Sequence, residues 1–243
     1  MRYYISRRRH GRFRVAAAIL ICTAVCAGLI FRIEETRPAM VNLDNFDQII
    51  IDAGHGGLDG GTVGVNGMSE KDINLDIALK LQDFLTISGY DVVMTRTEDV
   101  SIHDDSAHTV ADKKRSDLQK RLKIVNNNPN SITVSIHQNF FTEGKYSGAQ
   151  MFYGTKNVLS EYMATCIQDT FVEYLQPENT RQIKPIGSEV YLIHNATTPA
   201  VLVECGFLSN PEEAALLATD EYRNKVAFTI FKGIISFLNQ NQL

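Results

Sequence analysis

Apolar positions in this chain recur in two rhythms. Gln48 to Asp52 is a short, nearly unbroken apolar run, as expected for a buried strand. Ser69 to Ser88 instead spaces Ile73, Ile77, Leu81, Phe84 and Leu85 along one helical face and stops at Gly89, a glycine where a helix cap needs one. The same two rhythms predict strands over Tyr90–Thr95, Ile132–Ile136, Gly148–Gly154, Glu189–Ile193 and Ala200–Glu204. They predict helices over Arg115–Asn127, with Leu118, Leu122 and Val125 inward, and over Val158–Leu175 and Glu221–Asn239. Strands alternating with helices predict an α/β fold: a single domain with a largely parallel, mixed central sheet flanked by helices.

The N-terminus follows neither rhythm. Val15 to Phe31 is an uncharged run of 17 residues, near the short limit for a membrane span and longer than an ordinary signal core. The expected organisation is a basic cytoplasmic tail over 1–14, a signal-anchor over 15–31, a polar linker over 32–45 and a catalytic domain over 46–243. Cleavage after Ala27 is the alternative to a retained anchor. The arginines before the apolar run should stay in the cytoplasm, which sends the domain across the membrane.

Charge sharpens the division. The chain has 24 Lys and Arg against 28 Asp and Glu, but seven arginines lie in the first 32 residues, where no acid occurs. The remainder carries 17 basic and 28 acidic residues, a net charge of −11 that argues against nucleic acid as a partner. Of the four cysteines, Cys22 and Cys26 lie in the apolar segment, and Cys166 and Cys205 read as buried thiols rather than a disulfide framework.

Three strand ends carry the chemistry. IIIDAGHGG delivers His55, SITVSIHQN delivers His137, and AVLVE delivers Glu204, and in open α/β sheets such carboxyl ends converge on one crevice. Glu70 sits at the start of the first helix, where the dipole favours an ionised carboxylate and Ser69 with Asp72 resembles a capping arrangement. Two histidines, one carboxylate and an open fourth position make a catalytic zinc site, so His55, Glu70 and His137 are the expected ligands of one zinc ion. Each has a plainer alternative. His55 fits a glycine-rich turn, His137 a satisfied core histidine, and Glu70 a solvated first-turn acid. Glu204, directly after an apolar run, is either an ion-paired structural acid or the general base and acid beside the metal.

Asn139, Arg121 and Arg181 are candidates for substrate contact, as are Asn126 and Lys184, and surface solvation is the plainer alternative for Arg121, Asn126, Arg181 and Lys184. His103, Asp104, Asp105 and His108 have ligand chemistry but fall in a polar stretch, Thr97 to Lys114, expected to be a solvated loop at the rim of the cleft. His194, at the end of a predicted strand, reads equally as site lining or structure.

DAGHGGLDGG, SEKDINLDIALKL, Thr95–Arg96, LQKRLKIVN, SIHQN, GAQMFY and PAVLVECGFLSNPEEAALL, in that order, resemble the zinc-dependent N-acetylmuramoyl-L-alanine amidases of the amidase 3 family. The resemblance implies hydrolysis of the amide between N-acetylmuramic acid and L-alanine in peptidoglycan, with His55, Glu70 and His137 on zinc and Glu204 catalytic. Within the family the chain is most similar to the sporulation member, which removes stem peptides from spore cortex on the way to muramic δ-lactam, needed for germination. That implies action outside the cytoplasm, between the forespore membranes, on a membrane-anchored or secreted protein. A housekeeping autolysin is the nearest alternative. A wall-binding or regulatory protein, active only with an accessory partner, is the alternative of another class.

Overall fold

The computed structural model describes residues 46–239. The basic tail, the apolar segment and the linker expected before residue 46 lie outside them. Among the described residues no helix is long and apolar enough to cross a membrane.

Six strands form one sheet: β1 (Gln48–Ala53), β2 (Asp91–Met94), β3 (Ser131–Asn139), β4 (Gln150–Tyr153), β5 (Lys184–Pro185) and β6 (Ala200–Phe207). Their order is β2-β1-β3-β6-β4-β5, parallel throughout except where β4 runs antiparallel to β6. The mixed, largely parallel sheet predicted from the sequence is therefore present. β1, β3 and β6 are central and buried on both faces; β1 and β6 are near-continuous apolar runs, while β3 alternates apolar residues with buried Thr133 and Ser135.

Alternation along these strands divides the sheet into unlike faces. Ile49, Ile51, Ile132, Ile136, Val201 and Val203 point into the main core, packed by α1 (Glu70–Ile87), α3 (Leu159–Tyr174) and α6 (Asp220–Asn239). The opposite face meets α2 (Val110–Val125) and α4 (Tyr191–Asn195) over a smaller apolar cluster that includes Ile50, Val125, Ile193 and Leu202. Between those apolar positions the second face presents Asp52, Thr133, Ser135, His137 and Glu204. The last short helix, α5 (Pro211–Leu217), follows β6.

Several elements differ from the sequence expectation. Glu189–Ile193 is not a strand. Tyr191–Asn195 forms a helical turn that buries Leu192 and Ile193 against the sheet, with the Asn195 side chain donating to Tyr191 O. A short apolar run satisfies burial in either conformation, so periodicity does not separate them. α2 begins at Val110 rather than Arg115, because Thr109 accepts from Asp112 N at 3.1 Å and caps the helix. α5 was not expected, although Asn210 followed by Pro211 and two glutamates is a helix-start pattern; Asn210 Oδ1 accepts from Glu212 N and Glu213 N.

Ser69 does sit at the N-cap position, yet its hydroxyl donates to Gly60 O instead of capping toward Asp72. Gly89 closes α1 as expected, at φ +88°, with Gly89 N bonding Thr86 O and Tyr90 N bonding Leu85 O. Cys166 and Cys205 are free and buried.

Candidate metal centre

β1 ends in a turn that brings His55 back over the sheet. His55 is the single non-glycine residue with positive φ among the described residues, at +62°, and its carbonyl accepts from Arg121 Nη2 at 2.6 Å. Gly54 precedes it of necessity: a Cβ there would lie 2.3 Å from His137 Nε2. Gly61, at φ +64°, is tied to the same site, since its Cβ would lie 2.6 Å from Glu70 Oε2.

Glu70, the first residue of α1, is the hub. Its Oε1 lies 3.2 Å from His55 Nε2 and 3.1 Å from His137 Nδ1, and it also accepts from Gln138 N at 3.2 Å. Its Oε2 accepts from Thr62 N at 2.9 Å. The two imidazoles meet edge to face with centroids 4.9 Å apart. One ligand atom from each of His55, Glu70 and His137 falls within 4.8 Å of the others, so the three residues expected as ligands do converge. Two imidazoles and a carboxylate suit zinc, and three donors leave a position open.

Electrostatics agree with that chemistry. Burial alone would lower the His55 pKa, but the Asp59 and Glu70 carboxylates outweigh it and lift the imidazole to about 9. Burial opposes ionisation of Glu70, yet the histidines hold its carboxyl well below the usual range. With no cation present, then, the pocket holds a proton that a metal can displace. Asp59 Oδ2 lies 3.1 Å from His55 Nδ1, off the line of a good hydrogen bond, and 3.1 Å from Lys114 Nζ.

Glu204 is paired in register with His137 on the neighbouring strand. Its Oε2 is buried without a hydrogen-bond partner, and burial pushes its carboxyl up to about 7, with His137 pulling down and Glu70 pushing up. No cation pairs with it, so the structural ion-pair reading of Glu204 finds no partner among the described residues. A cleft of about 410 Å³ opens beside it, walled by α2 through Lys113, Lys114 and Leu118 and by α4 through Tyr191 and Leu192.

The remaining candidates scatter. Arg121 is 2% exposed and carries no free charge for a ligand: Nε donates to Asp117, Nη1 to Asp52 and Ala53 O, and Nη2 to His55 O. Arg121 is among the residues that line the cleft, and from there it supports the His55 turn. Arg181 lies beyond the cleft lining, donating to Ser147 O and Gln150 and stacking on Phe207. Asn139 ends β3, where its carbonyl accepts from Leu208 N. Asn126 links α2 to the end of α4 through Asn195 O and Thr197 N, and Lys184 is exposed on β5. His103, Asp104, Asp105 and His108 make no metal-holding group, and His194 sits on α4 away from the cleft lining. Asp59 was missed from sequence, although a carboxylate four residues after His55 in a glycine-rich turn was the available signal.

The model of the Amidase_3 family, N-acetylmuramoyl-L-alanine amidase, matches residues 49–236. The germination-specific N-acetylmuramoyl-L-alanine amidase of Bacillus subtilis is 40% identical over 192 residues, covering 79% of this chain and 80% of that protein. Among solved structures, the CwlD amidase from Clostridioides difficile in complex with the GerS lipoprotein superposes with a TM-score of 0.76 at 39% identity, covering 80% of this chain and 99% of that one. The N-acetylmuramoyl-L-alanine amidase from Clostridium difficile 630 does so with a TM-score of 0.69 at 32% identity, covering 80% and 98%. A strand-end histidine pair, a helix-start glutamate and a family match running through nearly the whole described domain lead to one conclusion: the chain belongs to the Amidase_3 family of N-acetylmuramoyl-L-alanine amidases.

Proposed function

We propose that this peptidoglycan amidase is a one-zinc enzyme in which His55, Glu70 and His137 hold the ion and Glu204 moves the proton. The observation that carries the reading is the convergence of those three donors beside a half-buried carboxylate on the adjacent strand, one oxygen of which is buried without a partner. Zinc, when bound, supplies Lewis acidity that polarises the scissile carbonyl and makes a water easier to deprotonate. Glu204 accepts the proton of the attacking water as the new C–O bond forms, then returns it to the amide nitrogen as the C–N bond breaks. A carboxyl near 7 is matched to both halves of that transfer. The lactyl carbonyl is thereby left as a carboxylate and the stem peptide departs with a free L-alanine amine.

We further propose that the substrate is spore cortex peptidoglycan and that peptide removal prepares the muramic δ-lactam needed for germination. The 40% identity to a germination-specific amidase supports this reading over a housekeeping autolysin. The basic tail and apolar segment over 15–31 would hold the domain on the outer side of the membrane, between the forespore membranes. Dependence on an accessory protein is the second reading, favoured by the similarity to an amidase solved in complex with a lipoprotein.

The test is mass spectrometry of muropeptides after incubating metal-analysed protein with cortex-type peptidoglycan, beside Glu204→Gln. Free stem peptides from wild type alone support both the amidase chemistry and its base. Absence of cleavage at full zinc occupancy would point instead to partner dependence.

A further inference from the structure

Arg96, just after β2, is 3% exposed and has no carboxylate partner among the described residues; it is spent on backbone carbonyls. Nε donates to Ala53 O at 2.9 Å, Nη2 to Gly54 O at 3.0 Å and Lys71 O at 2.9 Å, and Nη1 to Glu98 O at 3.0 Å. A cation buried without an opposite charge is costly, so this placement calls for a reason. Ala53 and Gly54 lead directly into His55, and Lys71 directly follows Glu70. One planar guanidinium therefore bridges the segments that carry two of the three metal-site residues.

A second tie runs between the same segments. Asp99 Oδ1 accepts from Gly57 N at 2.8 Å, while its Oδ2 accepts from Lys71 Nζ at 2.6 Å, and Lys71 Nζ also donates to Gly57 O at 2.9 Å. Between these ties His55 holds φ +62°, a conformation that persists when its surroundings over-determine it. The stretch after Arg96, which sequence reading assigns to a solvated rim, begins as part of the site's frame.

We propose that Arg96 and Asp99 form a brace that sets the separation of His55 from Glu70 and so tightens zinc binding without touching the ion. Both are positioning residues, Arg96 acting through backbone carbonyls and Asp99 through Gly57 N and the Lys71 ammonium. The inference rests on the zinc reading of the site.

The experiment compares the full chain in detergent with Arg96→Gln, Arg96→Lys and Asp99→Ala. Three quantities are read: the zinc dissociation constant by chelator competition, the melting temperature of the metal-free protein, and the visible spectrum of the cobalt-loaded protein. Arg96→Gln should bind zinc about 10- to 100-fold more weakly and alter the cobalt spectrum, the range found for residues that orient metal ligands. Arg96→Lys should recover little, because an ammonium does not reproduce a planar fork reaching carbonyls on two sides. Asp99→Ala, at a half-exposed side chain, should weaken zinc about tenfold with the metal-free melting temperature unchanged. Wild-type zinc affinity in Arg96→Gln and Asp99→Ala overturns the brace. So does an affinity loss that only tracks melting temperature with an unchanged cobalt spectrum, since that is support of the fold alone. If Arg96→Gln does not fold, Asp99→Ala decides. A wild-type protein that binds no zinc overturns the metal reading itself, a result readable apart from the variants.

Discussion

The two faces of the central sheet use the same strands for opposite ends. One face, under α1, α3 and α6, is predominantly apolar and includes the fully buried Ile77, Leu81, Ile167, Phe171 and Ile234. The other, under α2 and α4, interrupts a small apolar cluster with Asp52, Ser135, His137 and Glu204, and brings Arg121 and Asp117 down from α2 to meet them. α2 was expected to bury Leu118, Leu122 and Val125, but only Val125 is fully buried, while Arg121 and Asp117 are more buried than either leucine. Stability is concentrated on the first face. The second gives part of it up to keep polar groups, one of them an unpartnered carboxylate, out of water beside the cleft.

That contrast is broken most sharply by Glu204→Gln. It should lower kcat by about 10²- to 10⁴-fold, the usual contribution of proton transfer, while zinc content stays stoichiometric and the metal-free protein melts no lower than wild type. The last point follows from sign: a carboxyl raised to about 7 costs the folded state stability as pH rises past its ordinary range, and the amide does not ionise. Loss of folding in this variant would contradict the division between the faces.

The complementary change is Phe171→Ala on the apolar face. It should destabilise by about 3–5 kcal/mol in chemical denaturation, yet leave the zinc affinity of the folded protein at the wild-type value. A large affinity loss would show the faces to be coupled.

pH separates them further. His55, lifted to about 9, is protonated at neutral pH in the metal-free protein, so on the proposed one-zinc reading an entering ion would have to displace that proton. Zinc affinity should therefore weaken roughly tenfold per pH unit as pH falls from about 9 toward the ordinary histidine range, as expected for one displaced proton. Calorimetric titrations in buffers of different ionisation enthalpy would count the protons released, and an affinity flat between pH 7 and 9 would refute the linkage.

The smallest effect concerns Asp52. Burial raises its pKa, but Arg121 and Ser135 outweigh burial and hold it at about 2 instead of the model-peptide value of 3.8. The pair's contribution, about 2 kcal/mol by linkage, is present above that ordinary value and is lost as pH falls through about 2. The stability difference between wild type and Asp52→Asn, followed in acid, should hold level above about pH 4 and shrink only within that window.

Both the strength and the limit of sequence reading follow from these faces. The apolar positions of β1, β3 and β6 are dense enough to mark strands, and a histidine or acid at or toward the carboxyl end of each is visible without tertiary knowledge. Glu70 is visible because a helix start has its own local chemistry. Glu189–Ile193 misled because four apolar residues in a row bury equally well as a helical turn. The burial of Arg121 against Asp52 was not legible, because an arginine on a helix is ordinarily solvated and nothing local announces Asp52 beneath it.

Local pattern alone determined most of the strands and helices, and therefore that His55, His137 and Glu204 lie toward the carboxyl ends of parallel strands, although β3 and β6 run on past His137 and Glu204 to Asn139 and Phe207. Periodicity and capping act over a few residues, so they can be read from neighbours in the chain. Tertiary structure alone decided that Arg96 ties the His55 turn to the start of α1, that Arg121 is spent beneath it, and that Asp59 faces His55. Those contacts join segments distant in sequence or turn on one backbone angle, and their distances exist only once the chain has closed on itself.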